Sequence, residues 1–360
     1  MNERSFLDRF LAAVPVAVVA LALVALYFWE ASARKTPTIF TDELEWSQIS
    51  RAIAATGHAA RRGEPIGFKS LYPYFIAPAW WIHSTRSAYS FAKYLDTFAM
   101  CVTALPVYLT ARLLVRPRAA LLAGFGSICT SALFYGGYLI PEPLAYPVFA
   151  FAAYAGIRAL AGHGRRWWVS AFLLALLGLL VRNELAVGLG TLVCAAAVLW
   201  VVGPAGQRVR RGWTAADYAG AAVLLVGAVI VANAALGPHV TQWHVVTTTW
   251  QGRMWTLGLT STAALAIGLG LLPLICGLAS LWLPDRRADP EWRAFAAYTG
   301  TAVVFFWLYT AVKAAYLSTV VFTRIEERNL IYLGPLLLVG TVVYFSSRPW
   351  LPGTIAASAV

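Results

Sequence analysis

Residues 168–202 read WVSAFLLALLGLLVRNELAVGLGTLVCAAAVLWVV, two apolar runs separated only by Arg182-Asn183-Glu184. A helix rises about 1.5 Å per residue and the hydrocarbon core is about 30 Å thick, so such runs are suited to crossing lipid. Charged residues inside a membrane are costly, which places the Arg-Asn-Glu break at a surface or in a protein interior. The stretch predicts a pair of short spanning helices joined by a charged turn. Working outward, the same alternation of apolar run and polar break gives about ten spans. They lie near 10–29, 88–111, 119–139, 143–161, 167–181, 185–203, 214–236, 256–283, 294–317 and 330–346.

Composition agrees. The chain has 360 residues, of which 60% are hydrophobic and only 12% charged, and its mean hydropathy is +0.67. Soluble domains carry about 25% charged residues. The fold class is therefore an all-α polytopic membrane protein. A transmembrane barrel is excluded, since its strands alternate in polarity over about ten residues and these runs are continuous. We read one transmembrane domain, residues 1–350, containing a 34–87 extracytoplasmic loop. Residues 351–360 are too short to span and form either a tail or the start of a further segment. The net charge of +12 does not point to nucleic acid, because the basic residues fall in short clusters between spans. Cys101, Cys129, Cys194 and Cys276 lie inside apolar runs with no CxxC or Cys/His spacing, and read as small core residues.

The basic clusters set the orientation. With the N-terminus in the cytoplasm, alternate breaks hold Arg4 and Arg9; Arg112, Arg116 and Arg118; Arg158, Arg165 and Arg166; Arg208, Arg210 and Arg211; Arg286, Arg287 and Arg293; and Arg348. The short loops of the other side hold only Arg182, Arg253, Arg324 and Arg328. This is the positive-inside bias, to which a long loop such as 34–87 contributes little. Ala31-Ser32-Ala33 has the form of a signal-peptide cleavage site, but the apolar stretch before it is long for one and Glu30 is a poor neighbour, so the first run reads as a retained anchor.

The outer side carries the residues capable of chemistry. Residues 41–57 (TDELEWSQISRAIAATG) predict an amphipathic helix capped by Thr41 or Asp42 and ended by Gly57, with Asp42 and Glu43 at the positive end of its dipole. Leu44, Ile49, Ala52 and Ile53 share its apolar face. A second interfacial helix is expected in Leu71-Tyr72-Pro73-Tyr74-Phe75-Ile76-Ala77-Pro78-Ala79-Trp80-Trp81. Glu142 stands between Pro141 and Pro143, which hold the backbone around it. The residues alone leave bland readings open: Asp42 and Glu43 as helix caps, Glu142 as an acid facing water, Arg182 and Glu184 as a mutual pair, and Thr323–Asn329 as a solvated helix end. Lys313, inside the ninth span, either snorkels or pairs internally.

Taken together and in order, Thr41-Asp42-Glu43, Leu71-Tyr72-Pro73, Leu105-Pro106-Val107-Tyr108-Leu109-Thr110-Ala111-Arg112, Pro141-Glu142-Pro143-Leu144-Ala145-Tyr146-Pro147, Leu180-Val181-Arg182-Asn183-Glu184 and Glu327-Arg328-Asn329-Leu330-Ile331-Tyr332 make the chain resemble the GT-C class of integral-membrane glycosyltransferases. The likeness is to the branch of the protein O-mannosyltransferases and aminoarabinose transferases, and it covers residues 10 to about 346. It implies a GT-C-like bundle and an inverting transfer from a polyprenyl-phosphate-linked sugar to a hydroxyl acceptor of the cell envelope. It further implies Asp42 as catalytic base, with Glu43 beside it, Glu142 as a second acid and Lys69 as a donor-phosphate contact. Two features depart from the pattern: the further helices and C-terminal outer domain of some members are missing here, and Pro143 stands where Asn is commoner.

The chemistry explains the residue types. An acceptor hydroxyl is a weak nucleophile, and a carboxylate that removes its proton is worth about 10²–10⁴ in rate. The departing lipid phosphate gains charge, which fixed cations stabilise. The outer-side candidates are Lys69, Arg182, Arg253, Arg324 and Arg328, with Arg324 and Arg328 first because a guanidinium binds phosphate through two hydrogen bonds. Tyr72, Tyr74 and Tyr146 are candidate lipid or sugar contacts. A lipid donor needs no nucleotide site, and no Walker or GxGxxG element follows a strand. A divalent metal on Asp42, Glu43 and Glu142 is left open, since no spacing compels it; no other cofactor is called for. The expected setting is a bacterial plasma membrane with the site outside. A transporter or flippase, or a noncatalytic envelope-assembly subunit, is the alternative. Against a transporter, there is no clear internal repeat and the charges gather at one face.

Overall fold

Helix α1, Val16–Ala33, is apolar apart from Glu30 and Ser32 near its end, and Val18, Val19, Leu21 and Leu26 remain uncovered by protein, as befits a surface that meets hydrocarbon. The computed structural model describes residues 16–35, 37–38, 40–203, 207, 211–220, 222–223, 252–320 and 325–347. Arg324, the tail 351–360 and most of the expected span 214–236 lie outside these. The end of α1 would leave carbonyls unmet. Buried Lys93 reaches across to donate to the Ala31 carbonyl at 2.5 Å and to the Arg34 carbonyl, placing a cation at the negative end of the helix dipole.

The loop after α1 folds as α2, Phe40–Thr56, a hairpin with a two-residue turn formed by β1, Ala60–Arg61, and β2, Glu64–Pro65, and α3, Tyr72–Ile76, continued by a 3-10 turn, Ala77–Trp81. The hairpin turn is Arg62-Gly63, both at positive φ, the twist that a two-residue antiparallel connection needs. Of the expected Leu44-Ile49-Ala52-Ile53 stripe, Ile49 is buried and the other three are half-buried; the most buried residues of α2 are Glu43, Ile49 and Ser50. The reason is its neighbour. Trp46 sits edge-on to Tyr72 at 5.9 Å, and Trp80 donates to the Ser50 hydroxyl at 2.6 Å, so α2 is docked on α3 through polar and aromatic groups.

The bundle follows: α4, Thr85–Val102; α5, Ala104–Leu114; α6, Pro117–Ser127; α7, Glu142–Leu160; α8, Arg165–Val181; α9, Ala186–Val202; α10, Gly252–Leu269; α11, Leu271–Ala279; α12, Pro290–Val320; and α13, Leu333–Ser346. Helix α7 lies at the centre, packed with Ala145, Ala152, Ala153 and Gly156, the small residues that let membrane helices approach closely. A Cβ at Gly156 would stand 2.9 Å from the Tyr298 ring of α12.

The all-helical membrane class is present, while a total of ten spans is not shown among the described residues. Among the described residues four stretches are long and apolar enough to cross a membrane: Thr85–Leu114, Glu142–Leu160, Asn183–Val202 and Pro290–Thr319. Two bent pairs raise the number to six. The expected span 119–139 is one of these, α6 turning by 52° into a 3-10 segment, Ser131–Gly137. The expected span 256–283 is the other, α10 and the segment after it meeting at 107°, where Gly270 takes φ +94°, open to glycine and strained for other residues. The expected last span, 330–346, is the 14-residue α13, shorter than the roughly 20 residues a crossing needs and almost wholly buried in the bundle.

Candidate active site

Four polar breaks that the sequence assigns to one side converge at one end of the bundle. Asp42 comes from the first turn of α2, Glu142 is the first residue of α7, Arg182 and Glu184 flank the end of α8, and Glu326 to Asn329 precede α13. Lys313 arrives from the last third of α12. Pro141 and Pro143 set the start of α7, where a proline costs no helical hydrogen bond, and so fix where Glu142 stands.

The charges close into an alternating ring. Arg182 meets Glu142 at 2.7 Å and Glu184 at 3.1 Å; Lys313 meets Glu184 at 2.8 Å and Glu326 at 4.0 Å. Arg328 then meets Glu326 at 3.5 Å and Glu142 at 3.8 Å, which completes the circuit. Arg328 also reaches outward to Asp42 at 3.4 Å. Asn329 spans the ring, accepting from Arg182 at 3.2 Å and donating to Glu326 at 3.1 Å, while Tyr332 accepts from Arg182 at 3.1 Å. Below, Tyr332 packs with Phe149 and Phe306, an apolar floor that raises the strength of every charge interaction above it.

Exposure grades across the site. The side chains of Glu142 and Arg182 are 2% and 6% exposed, whereas Arg328 and Asp42 are 29% and 42% exposed. Burial works against the charge of Arg182, but Glu142 together with Tyr332 and Glu184 holds its guanidinium well above the ordinary range. Arg328 is likewise held above its ordinary value despite burial, chiefly by Glu142. The mouth of the site is therefore the Asp42–Arg328 pair, and its root is Glu142–Arg182.

Glu43 faces elsewhere. It accepts from the Thr38 N–H at 2.6 Å, the Tyr89 hydroxyl at 3.0 Å and the Leu139 N–H at 3.2 Å. These bonds tie the start of α2 to α4 and to the turn that leads into Glu142, and so hold Asp42 over the ring. Lys69 pairs with Glu45 at 2.7 Å, one turn along α2 from Asp42. Arg253 is exposed at the start of α10 and makes no ion pair among the described residues. Tyr72 is buried with its hydroxyl donated to Asp96 at 2.7 Å, and burial, then Asp96, push its phenol well above the usual range. Tyr74 stacks on Phe68 at the surface. Tyr146 is fully buried and lines a cavity of about 360 Å³ beside the ring, together with Tyr135, Tyr138 and Glu327. Among the described residues no group of three or more His, Cys, Asp or Glu side chains is arranged to hold a metal; Glu142 is instead met by two guanidinium groups.

Among solved structures, two of ArnT from Cupriavidus metallidurans share this architecture, one in the apo state and one bound to undecaprenyl phosphate. Each superposes with a TM-score of 0.59 at 14% sequence identity, over 96% and 95% of this chain. The chain therefore shares the fold of these two structures. The chain spans 62% and 61% of the length of those two proteins, and the likeness is one of fold. No protein-family model matches the sequence. No curated protein matches it either.

The sequence nominated Glu142, Arg182, Glu184 and Arg328 as breaks in apolar runs, and Asp42 as an acid at the start of the loop helix 41–57. The Arg182–Glu184 pair and the internal pairing of Lys313, both among the open alternatives, are present. The reading passed over Lys93 and Asp96, whose spacing of three inside an apolar helix was itself a signal, since ionisable residues at membrane depth seldom lack a partner or a task.

Proposed function

We propose that this protein is an inverting glycosyltransferase of the bacterial plasma membrane, N-terminus cytoplasmic and site extracytoplasmic, moving a sugar from a polyprenyl-phosphate donor to a hydroxyl acceptor. The observation that carries the proposal is the Asp42–Arg328 pair, at 3.4 Å, standing at the open mouth of a buried charge ring. The GT-C-like fold, and a neighbour of that fold bound to undecaprenyl phosphate, support a lipid-phosphate donor.

The arrangement suggests a sequence of events. Every cation of the ring already has carboxylate partners, so an incoming phosphate must compete for one. Arg328 is the most exposed of the three, and a phosphate that takes it by two hydrogen bonds detaches Asp42. Asp42 is then free to accept the proton of the acceptor hydroxyl as its oxygen bonds to the anomeric carbon. The carbon–phosphate oxygen bond breaks on the opposite face, and the polyprenyl phosphate leaves against Arg328, with Arg182 behind it. Glu142 keeps Arg182 and Arg328 in place, and Glu43 positions Asp42. Lys69 and Arg253, and Arg324 beyond the described residues, remain further candidates for the donor phosphate, and Tyr72, Tyr74 and Tyr146 for lipid or sugar.

Asp42→Asn tests this in proteoliposomes supplied with polyprenyl-phosphate sugars. Transfer is expected to fall by about 10²–10⁴ with donor binding retained. Glu142→Gln should weaken donor binding as well. Unchanged transfer in both variants would remove the site assignment. Lipid translocation without transfer would instead favour a flippase.

A further inference from the structure

The cavity beside the ring is not used by the mechanism above. It holds about 360 Å³, at the lower end of the roughly 300–1,000 Å³ of small-molecule sites. Its walls include Tyr135, Tyr138 and Tyr146, with Gly334 at the start of α13 and Glu327 at the rim. Two of its polar groups are short of partners. Glu327 makes no ion pair among the described residues, and its hydrogen bond there is a long one, 3.4 Å from the Tyr135 hydroxyl. The Tyr146 hydroxyl is buried beside the Thr130 side chain of the same wall but makes no well-formed hydrogen bond among the described residues. A buried hydroxyl with its bonding incomplete is costly. A Cβ at Gly334 would stand 3.4 Å from that hydroxyl, so any larger side chain there would crowd the space in front of it.

Resting on the glycosyltransferase reading, we infer that this cavity seats the sugar of the lipid-linked donor, with Glu327 a specificity-determining acceptor for the sugar hydroxyls and Tyr146 a second hydrogen-bonding partner. A carboxylate offers acceptor sites and no donors, which suits neighbouring hydroxyls, while aromatic faces suit the C–H faces of a sugar ring. A hydrocarbon tail would leave Glu327 buried and uncompensated. The cavity also lies next to the phosphate candidate: Glu327 lines it and the next residue, Arg328, belongs to the ring, so a sugar in the cavity and a phosphate on Arg328 would be neighbours, as a glycosyl phosphate needs.

The test compares two kinds of probe on the purified full chain: undecaprenyl phosphate alone, and undecaprenyl phosphate carrying glucose, galactose or arabinose, with binding read by native mass spectrometry. Glu327→Gln is expected to weaken the glycosylated lipid that the wild type binds best by about tenfold and to leave undecaprenyl phosphate unchanged. Tyr146→Phe, which keeps the ring, should shift the same ratio less. Arg328→Ala should weaken both kinds of lipid. The inference is overturned if Glu327→Gln binds glycosylated lipids as the wild type does. It is also overturned if that variant loses both kinds equally, which would make Glu327 a part of the ring's scaffold, or if only the KM for the hydroxyl acceptor rises. If the wild type binds none of these lipids, the glycosyltransferase reading itself fails.

Discussion

Arg182 touches Glu142, Glu184, Asn329 and Tyr332 at once, and it does so while nearly sealed from solvent. Truncating such a residue strands the carboxylate it neutralised, at a cost of about 3–5 kcal/mol. Arg182→Ala is therefore expected to lower the melting temperature in detergent sharply, whereas Asp42→Asn, at a half-open pair, should change it little. Intrinsic fluorescence during heating separates the two, and equal shifts would contradict the gradient from buried root to open mouth. Glu43 teaches a related point. It stands next to Asp42 in the sequence and looks like its chemical twin, yet successive positions on a helix face different ways. Asp42 consequently meets Arg328, while Glu43 fastens two backbone N–H groups and Tyr89. Residue type and spacing could nominate both acids but could not divide the roles between them.

At the scale of elements, hydropathy averages hide bends. Residues 256–283 look like one long span because their composition is uniform, and only Gly270, among many glycines, marks the place where α10 turns into α11. Beyond that turn, α11 and α13 touch backbone to backbone: a Cβ at Gly277 would lie 2.6 Å from the Leu337 carbonyl, and one at Gly340 would lie 2.7 Å from the Gly277 carbonyl. Gly277→Leu therefore has to push the two helices apart, since backbone cannot yield as a flexible side chain does. The expected loss is at least the roughly 1–3 kcal/mol typical of overpacking, read as a lower melting temperature. Because Tyr332, beneath the ring, caps the start of α13 and Arg328 lies only four residues before Tyr332 in the chain, donor binding should weaken too. A Gly277→Leu protein of wild-type stability would count against this packing. The short helix α13 shows the same limit: it reads as a span by composition, and in the structure it is 14 residues long and almost wholly enclosed by other helices.

Across the whole molecule, alternate breaks gather at opposite ends. Asp42, Glu142, Arg182 and Arg328 meet at one end, while Arg286 donates to the Leu114 carbonyl at 2.8 Å and His163 lies 3.2 Å from Glu291 among the breaks assigned to the other. Orientation in the membrane is a matter for cysteine labelling. In a background with Cys101, Cys129, Cys194 and Cys276 replaced, His58→Cys should react with an impermeant maleimide in intact cells, and His163→Cys only after permeabilisation. The reverse pattern would place the ring in the cytoplasm and exclude an extracytoplasmic donor. The sequence by itself determined that the chain is an all-helical membrane bundle, which residues break its apolar runs and which breaks share a side. Those properties follow from burying apolar side chains and from the cost of charge in lipid, and both act on local stretches. The tertiary structure alone decided which cation meets which acid, where helices bend, and that Glu327 and Tyr146 border one cavity. Such pairings join residues as far as 286 positions apart, as Asp42 and Arg328 are, and the physics that selects among them is close packing in three dimensions, which no local pattern records.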